Sequence, residues 1–366
     1  MPGQSDLYLK PTGLLHGVEA QSAVKAGLAG WLAGGPAAFS LVEVIERRRA
    51  EPTRRHVRLL SYADARASSD VAIITRLERI CAAPSPMAGL DLHRPLVMGI
   101  VNVTPDSFSD GSLFAERDVA IAHGRSLIVK GADILDIGGE STRPGARDVP
   151  PEEEAERVAP VIAAWRDEGV PISIDTRKSL VMHSALAAGA AIVNDVSALG
   201  YDPKSLEVVR DAEAPVVLMH AQGTPQVMQK DPRYDDVSLD IFDYLAQRID
   251  DVVRAGIARS RIIADPGIGF GKTVEHNLTL LRELSLFHGL GVPILLGASR
   301  KAFVGSVTGE PEARMRVAGS VQAAMIGVAQ GVQILRVHDV RETVQAIAIW
   351  RRVNAVDGSA DLKGTH

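Results

Sequence analysis

One cysteine in 366 residues, Cys81, leaves no partner for a disulfide and too few thiolates for a cysteine-held metal. A lone thiol suits a reducing compartment, so the cytoplasm is the expected address. Cations are not concentrated either: 40 Lys and Arg against 45 Asp and Glu give a net charge of −5, with no basic block able to track a phosphate backbone. Nucleic acid is not expected as a partner. No stretch approaches the ~18 unbroken apolar residues of a membrane span, and the opening Met-Pro-Gly-Gln-Ser-Asp lacks the basic region and apolar core of an export signal. No membrane is expected as a partner.

What is present is a folding chain. With 46% hydrophobic and 23% charged residues it can bury a large core, as one big α/β domain or two smaller units. The character changes near residue 90, after the turn-rich segment 82–89. Residues 1–90, Ala- and Gly-rich over 20–39 and carrying the cluster Arg47-Arg48-Arg49, concentrate no catalytic residue types and read as an accessory region. The arginine cluster itself reads as a solvated helix face. Residues 353–366 are small and polar, the composition of a fraying tail.

Between these, over 91–352, short β-branched runs alternate with Ala-rich amphipathic stretches. Eight candidate strands stand at 96–101, 133–137, 172–175, 191–195, 216–220, 262–265, 294–297 and 333–337, with helical spacing at 151–165, 239–255 and 314–330. Eight βα units over this length predict an α/β fold of the (β/α)8 TIM-barrel type, since a doubly wound sheet usually has fewer strands.

In such a barrel the strand C-termini share one mouth. Polar residues gather there: Asn102, Glu140 and Arg143, Asp175, Asn194 and Asp195, His220, Asp265, Arg300 and Lys301, Arg336 and His338. Any one of them is explained equally well as a turn or helix cap. All eight ends being polar predicts a ligand-binding mouth. The loop 102–111 carries Phe108 among hydroxyls and carboxylates, including Asp110, and reads either as a capped turn or as a lid over a flat ring. The loop 138–145 sets Arg143 beside Pro144, where a guanidinium fork suits a phosphate or carboxylate. Lys301 and Arg336 with His338 form two cationic sites able to neutralise a pyrophosphate, unless each is a salt-bridged loop base. Asp175, Asn194 and Asp265 supply the acceptors that read a heterocycle with a donor edge, such as a pterin.

Two other patterns carry less. The segment 267–273, Gly-Ile-Gly-Phe-Gly-Lys-Thr, has neither dinucleotide nor phosphate-loop spacing. A zinc hydrolase needs clustered histidines, and the first barrel strand has none; His220 is either packed or functional.

The motifs NVTPDSFSDG (102–111), DIGGESTRPGA (136–146), SIDT (173–176), VNDVSAL (193–199), LMHAQGTP (218–225), DPGIGFGK (265–272), GASRK (297–301) and RVHDV (336–340) resemble, in order and spacing, those of dihydropteroate synthases over about residues 95–350. The resemblance implies a (β/α)8 transferase of folate synthesis. It would join 6-hydroxymethyl-7,8-dihydropterin pyrophosphate to 4-aminobenzoate, with Mg2+, through a dissociative step. By motif, Asp175, Asn194, Met219, Asp265, Phe270, Gly297 and Lys301 look like the pterin set. Asn102, Arg143, Arg336 and His338 resemble the pyrophosphate set, with Asn102 also on the metal. Phe108, Thr142, Arg143, Pro144 and Lys301 look like the aminobenzoate set. Asp175, Arg143, Phe108, Asp110 and Lys301 correspond to the catalytic groups. Ala302 stands where many members have serine, and Ser112 replaces a common glycine, departures that bear on sulfonamide sensitivity. The family often forms homodimers, and 314–330 is rich in small residues. The rivals are a pterin-binding methyltransferase barrel, which has no use for both the Arg143 loop and the SRK segment, and a noncatalytic pterin-binding protein working through residues 1–90.

Overall fold

The computed structural model describes residues 5–48, 50–103, 113–140, 148–223 and 228–355. An antiparallel sheet comes first, built from β1 (Ser5–Leu15), β2 (Gly30–Trp31), β3 (Ala38–Arg48) and β4 (Arg55–Ser61). The long β3 pairs with β1 on one side and with β2 and β4 on the other. The helix Val71–Cys81 starts where Asp70 accepts the Ala72 N–H at 2.9 Å, and presents Ile73, Leu77 and Ile80 on one stripe. That stripe covers the sheet face bearing Leu9, Val42 and Val44, and Phe39 joins the same cluster.

Strand alternation turns the next residues to the opposite face. Tyr8 and Ile45, directly paired, pack on Leu239, Leu286 and Phe242 of the second unit. Of the arginine cluster, Arg49 lies outside the described residues, and Arg47 and Arg48 stand on a strand and not on a helix face, Arg48 exposed and Arg47 ion-paired. Arg47, one residue before the end of β3, spans Asp240 and Asp243 of the helix Val237–Arg254, while Arg55 grips Asp236 at 2.5 and 2.6 Å and Glu283 at 2.8 and 2.9 Å. Charge and strand register dock the sheet on its neighbour.

That neighbour is the expected barrel. Strands β5 (Leu96–Asn102), β6 (Ile134–Gly138), β7 (Ile172–Asp175), β8 (Ile192–Asp195), β9 (Val216–Met219), β10 (Ile262–Asp265), β11 (Leu295–Leu296) and β12 (Ile334–Val337) form one parallel sheet, ordered β10-β9-β8-β7-β6-β5-β12-β11. A bridge from Ala264 to Ile294 closes the ring. Each strand lies within one residue of its expected ends.

The strands read as unbroken apolar runs because both faces are buried. Val97, Leu135, Ile137, Ile174, Val193, Leu218 and Ala264 point outward into the helical layer. Leu96, Met98, Ile134, Ile192, Val217, Ile263, Leu295 and Ile334 point inward, and Met87, Leu90 and Leu92 plug the floor beneath them. Two-residue periodicity then fixes what lies above this floor: Asn102, Asp136, Gly138, Asn194, Met219, Asp265, Gly297, Arg336 and His338 are all even steps from it, and Asp175 alternates with the outward Ile172 and Ile174. In the helix Val317–Ala329, added Cβ atoms at Gly319 and Gly327 would meet Val304 and Leu296 at 2.5 and 2.6 Å, so these two glycines serve packing within the chain.

Candidate active site

Inside the barrel a ring of charge sits directly on the apolar floor. The Arg336 guanidinium spans two carboxylates, with Nε donating to Asp136 at 2.6 Å and Nη2 to Asp175 at 2.7 Å. Asn194 turns its amide nitrogen to Asp136, at 3.2 and 3.4 Å from the two oxygens. Asp175 keeps one buried oxygen, Oδ1, without any hydrogen-bond partner. A buried acceptor left unmade is costly, so this atom marks where a ligand's donor belongs. Burial pushes the Asp175 carboxyl up to about 7, against the pull of Arg336 and helped by the Asp136 charge.

Across the barrel, Asp265 Oδ1 accepts the Gly267 N–H at 2.7 Å, which leaves its other oxygen free of that turn. Burial raises this carboxyl too, while Lys301 opposes the shift. Lys301 reaches the Ile268 carbonyl and lies 4.5 Å above the Phe270 ring, and burial lowers its ammonium to about 8. Gly297 sits between Arg336 and Lys301, where an added Cβ would come within 3.8 to 4.0 Å of both side chains. Met219 and Phe270 supply apolar surface beside them. A flat wall of this kind, lined by acceptors and backed by two cations, matches a bicyclic ring with a donor edge.

Asn102 is the last residue of β5 and His338 follows the end of β12, the strand paired with it, with His338 Nδ1 at 3.1 Å from Ser299 Oγ. Arg336 is not at the rim: it points inward and is ion-paired to both acids. Phe108, Asp110, Thr142, Arg143 and Pro144 lie outside the described residues. The residues flanking the second loop are described, and they are tied together. Lys178 donates to Glu154 at 2.7 Å and to the Val149 carbonyl at 2.6 Å, and lies 3.0 Å from Glu140; Arg177 joins Glu140 to Asp148.

Three polar strand ends do not join the pocket. Asp195 accepts the backbone N–H groups of Ser197 and Leu199 and shapes a turn. Glu140 belongs to the loop-base network. His220 steps outward, packs edge-on against Tyr244 and contacts the buried Lys272 at 3.0 Å; burial and that ammonium push its imidazole down to about 3. The residue that strand-end reading missed is Asp136. It lies inside a strand instead of at its end, and the signal was an aspartate within the run Ile134-Leu135-Asp136-Ile137, at an inward position.

The sequence model of the pterin binding enzymes matches residues 98–338 of this chain. The chain belongs to the pterin-binding enzyme family. Dihydropteroate synthase of Neisseria meningitidis serogroup B is 50% identical over 266 residues, which cover 71% of this chain and 93% of the relative. The Xanthomonas albilineans dihydropteroate synthase solved with 4-aminobenzoic acid superposes with a TM-score of 0.70 at 50% identity, over 74% of this chain and 97% of that one. The same enzyme in complex with 7,8-dihydropteroate gives 0.67 at 47% identity, over 73% and 96%. The family match begins at residue 98, so the N-terminal sheet lies outside it. Among the described residues no helix is long and apolar enough to cross a membrane.

Proposed function

We propose that this chain is a transferase that condenses 6-hydroxymethyl-7,8-dihydropterin pyrophosphate with 4-aminobenzoate, giving 7,8-dihydropteroate and pyrophosphate. The observation that carries the reading is the unpartnered Oδ1 of Asp175, beside Asn194 and across the barrel from Asp265, an acceptor set for a ring with a donor edge. Half of a relative's sequence shared over 93% of its length supports the same activity.

The chemistry follows from charge. The C–O bond to pyrophosphate breaks first, its electron pair leaves with the phosphate oxygen, and the pterin methylene becomes cationic. The amine of 4-aminobenzoate then forms the C–N bond and loses its proton. Asp175, Asn194 and Asp265 accept the ring's donors, and the Asp175 charge faces the developing cation. Met219, Phe270 and Gly297 bound the ring faces, and Lys301, above Phe270, balances Asp265. Arg143, His338 and Asn102 serve the leaving group, joined by Arg336, whose fork is shared with the acids. Thr142, Arg143 and Pro144 with Phe108 and Asp110 are the assigned closure around 4-aminobenzoate, an assignment resting on their motifs.

Mg2+ fits the donors present. Among the described residues no three acidic or histidine side chains group as a cage. Mg2+ keeps several waters and takes much of its shell from substrate phosphates, so the half-buried Asn102 at the end of β5 would serve as its protein oxygen ligand. When bound, the ion neutralises charge on the departing pyrophosphate. A homodimer and a cytoplasmic address belong to the same proposal, on the habits of the family and on the single thiol Cys81.

Pyrophosphate release from the pterin substrate, dependent on added 4-aminobenzoate, tests this reading. A methyltransferase barrel or a binding module releases none. Asp175→Asn and Arg143→Ala are each expected to lower kcat/KM at least about a hundredfold, the scale of a lost charge-stabilising group; near wild-type turnover in both would overturn the site.

A further inference from the structure

The Asp136 carboxylate is wholly buried at an inward position of β6, one step below the groups assigned to the substrate. We propose that Asp136 is a positioning residue that fixes which atoms the pocket shows to its ligand, by holding Arg336 against Asp175 and by orienting the Asn194 amide. This rests on the pterin reading above.

Asp136 faces Arg336 Nε at 2.6 Å, and a carboxylate in that pair is ionised and only accepts. Only the NH2 end of Asn194 can therefore turn toward it, as the contacts of 3.2 and 3.4 Å record. The Asn194 oxygen is left for the ligand. An amide free to rotate would present donor or acceptor with similar ease, and a donor there would meet the donor edge of the ring. The same carboxylate takes one arm of the Arg336 fork, so the other arm lands on Asp175 Oδ2 at 2.7 Å and leaves Oδ1 as the unpartnered acceptor. One buried acid thus sets the polarity of two ligand-facing groups without touching the ligand.

The test is a charge exchange. Asp136→Asn frees the amide of Asn194, and Asn194→Asp sets two carboxylates face to face. In the double variant, residue 136 donates its NH2 to the new acid at 194 while its oxygen still accepts from Arg336, so the ligand again meets an acceptor. Steady-state kinetics of the full chain, with pterin pyrophosphate and 4-aminobenzoate varied separately, read the outcome beside thermal melts. Each single variant is expected to raise KM for the pterin substrate about tenfold or more, the scale of a lost hydrogen bond to a charged group, with KM for 4-aminobenzoate within about twofold of wild type. The double variant is expected to recover most of the pterin KM. A double variant no better than the worse single, or single variants that change melting temperature and kcat with the pterin KM unmoved, would overturn the proposal. Should a single variant not fold, recovery of fold and pterin KM in the double variant supports the exchange, and a double variant that also fails to fold or to bind refutes it. Wild-type protein that releases no pyrophosphate refutes the pterin reading instead, a separate failure.

Discussion

Arg55 ties the N-terminal sheet to two acids of the barrel unit, and removing it tests whether the two units share their stability. Its guanidinium makes four contacts of 2.5 to 2.9 Å with Asp236 and Glu283. Those acids are 9% and 10% exposed, so Arg55→Ala strands two carboxylates with little water to solvate them. Breaking a fully buried pair costs roughly 3–5 kcal/mol, and an exposed one roughly 0–1. Arg55 is 22% exposed and Lys10 remains 3.7 Å from Glu283, so we expect about 2–3 kcal/mol. The arginine holds both acids below the usual carboxylate range, despite burial. A depressed acid stabilises the fold fully above its unfolded value and loses that contribution as pH falls through its folded value. The difference between wild type and Arg55→Ala in urea unfolding should therefore be full at pH 7 and shrink below about pH 4. A difference under about 0.5 kcal/mol at pH 7, or one that does not fall with acid, would show that the contact carries no coupling.

Gly267 has φ +69° and an added Cβ would lie 1.9 Å from the His220 carbonyl oxygen, so Gly267→Ala is expected to displace the turn that supports Asp265 and raise the pterin KM at least about tenfold, read by kinetics against an unchanged 4-aminobenzoate KM. Gly124→Ala would drive a methyl to 2.1 Å from the fully buried Trp165 ring, with an expected loss of about 3 kcal/mol in urea unfolding and no selective effect on either substrate. With its imidazole held near 3, His220 is expected to show no titration of its ring proton signals between pH 5 and 8, and a midpoint near 6.5 would refute the packed, neutral assignment.

The barrel was legible because its strands are short apolar runs whose ends are punctuated by turn residues, a signal that is local in sequence. The acids of the pocket were legible for a related reason: Asp175 and Asp265 are the last residues of their strands, where polarity stands out against the run before it. The N-terminal docking was not. Arg47 and Arg55 look like any surface arginines until Asp236, Asp240 and Glu283, 181 to 228 residues away, are brought opposite them. No window on the sequence holds both halves of such a pair.

Asp136 is the instructive miss, because the information was present and the rule applied to it was the wrong one. Searching strand ends assumes that function begins where the strand stops. In a barrel the relevant coordinate is depth along an inward-facing row, and Ile134, Asp136 and Gly138 form one such row from floor to mouth. An acid in its middle layer has no water to solvate it and must be met by a cation from another strand. Among the described residues β12 supplies it: Arg336 is in register with Met98 of β5, whose other neighbour is Ile134, one inward step below Asp136 on β6, and its side chain reaches Asp136 at 2.6 Å. An inward acid and an inward arginine, two strands apart and close in height, could thus have been matched from the alternation alone, and the same search applied to the other strands returns Asp175 and Asp265 without any motif.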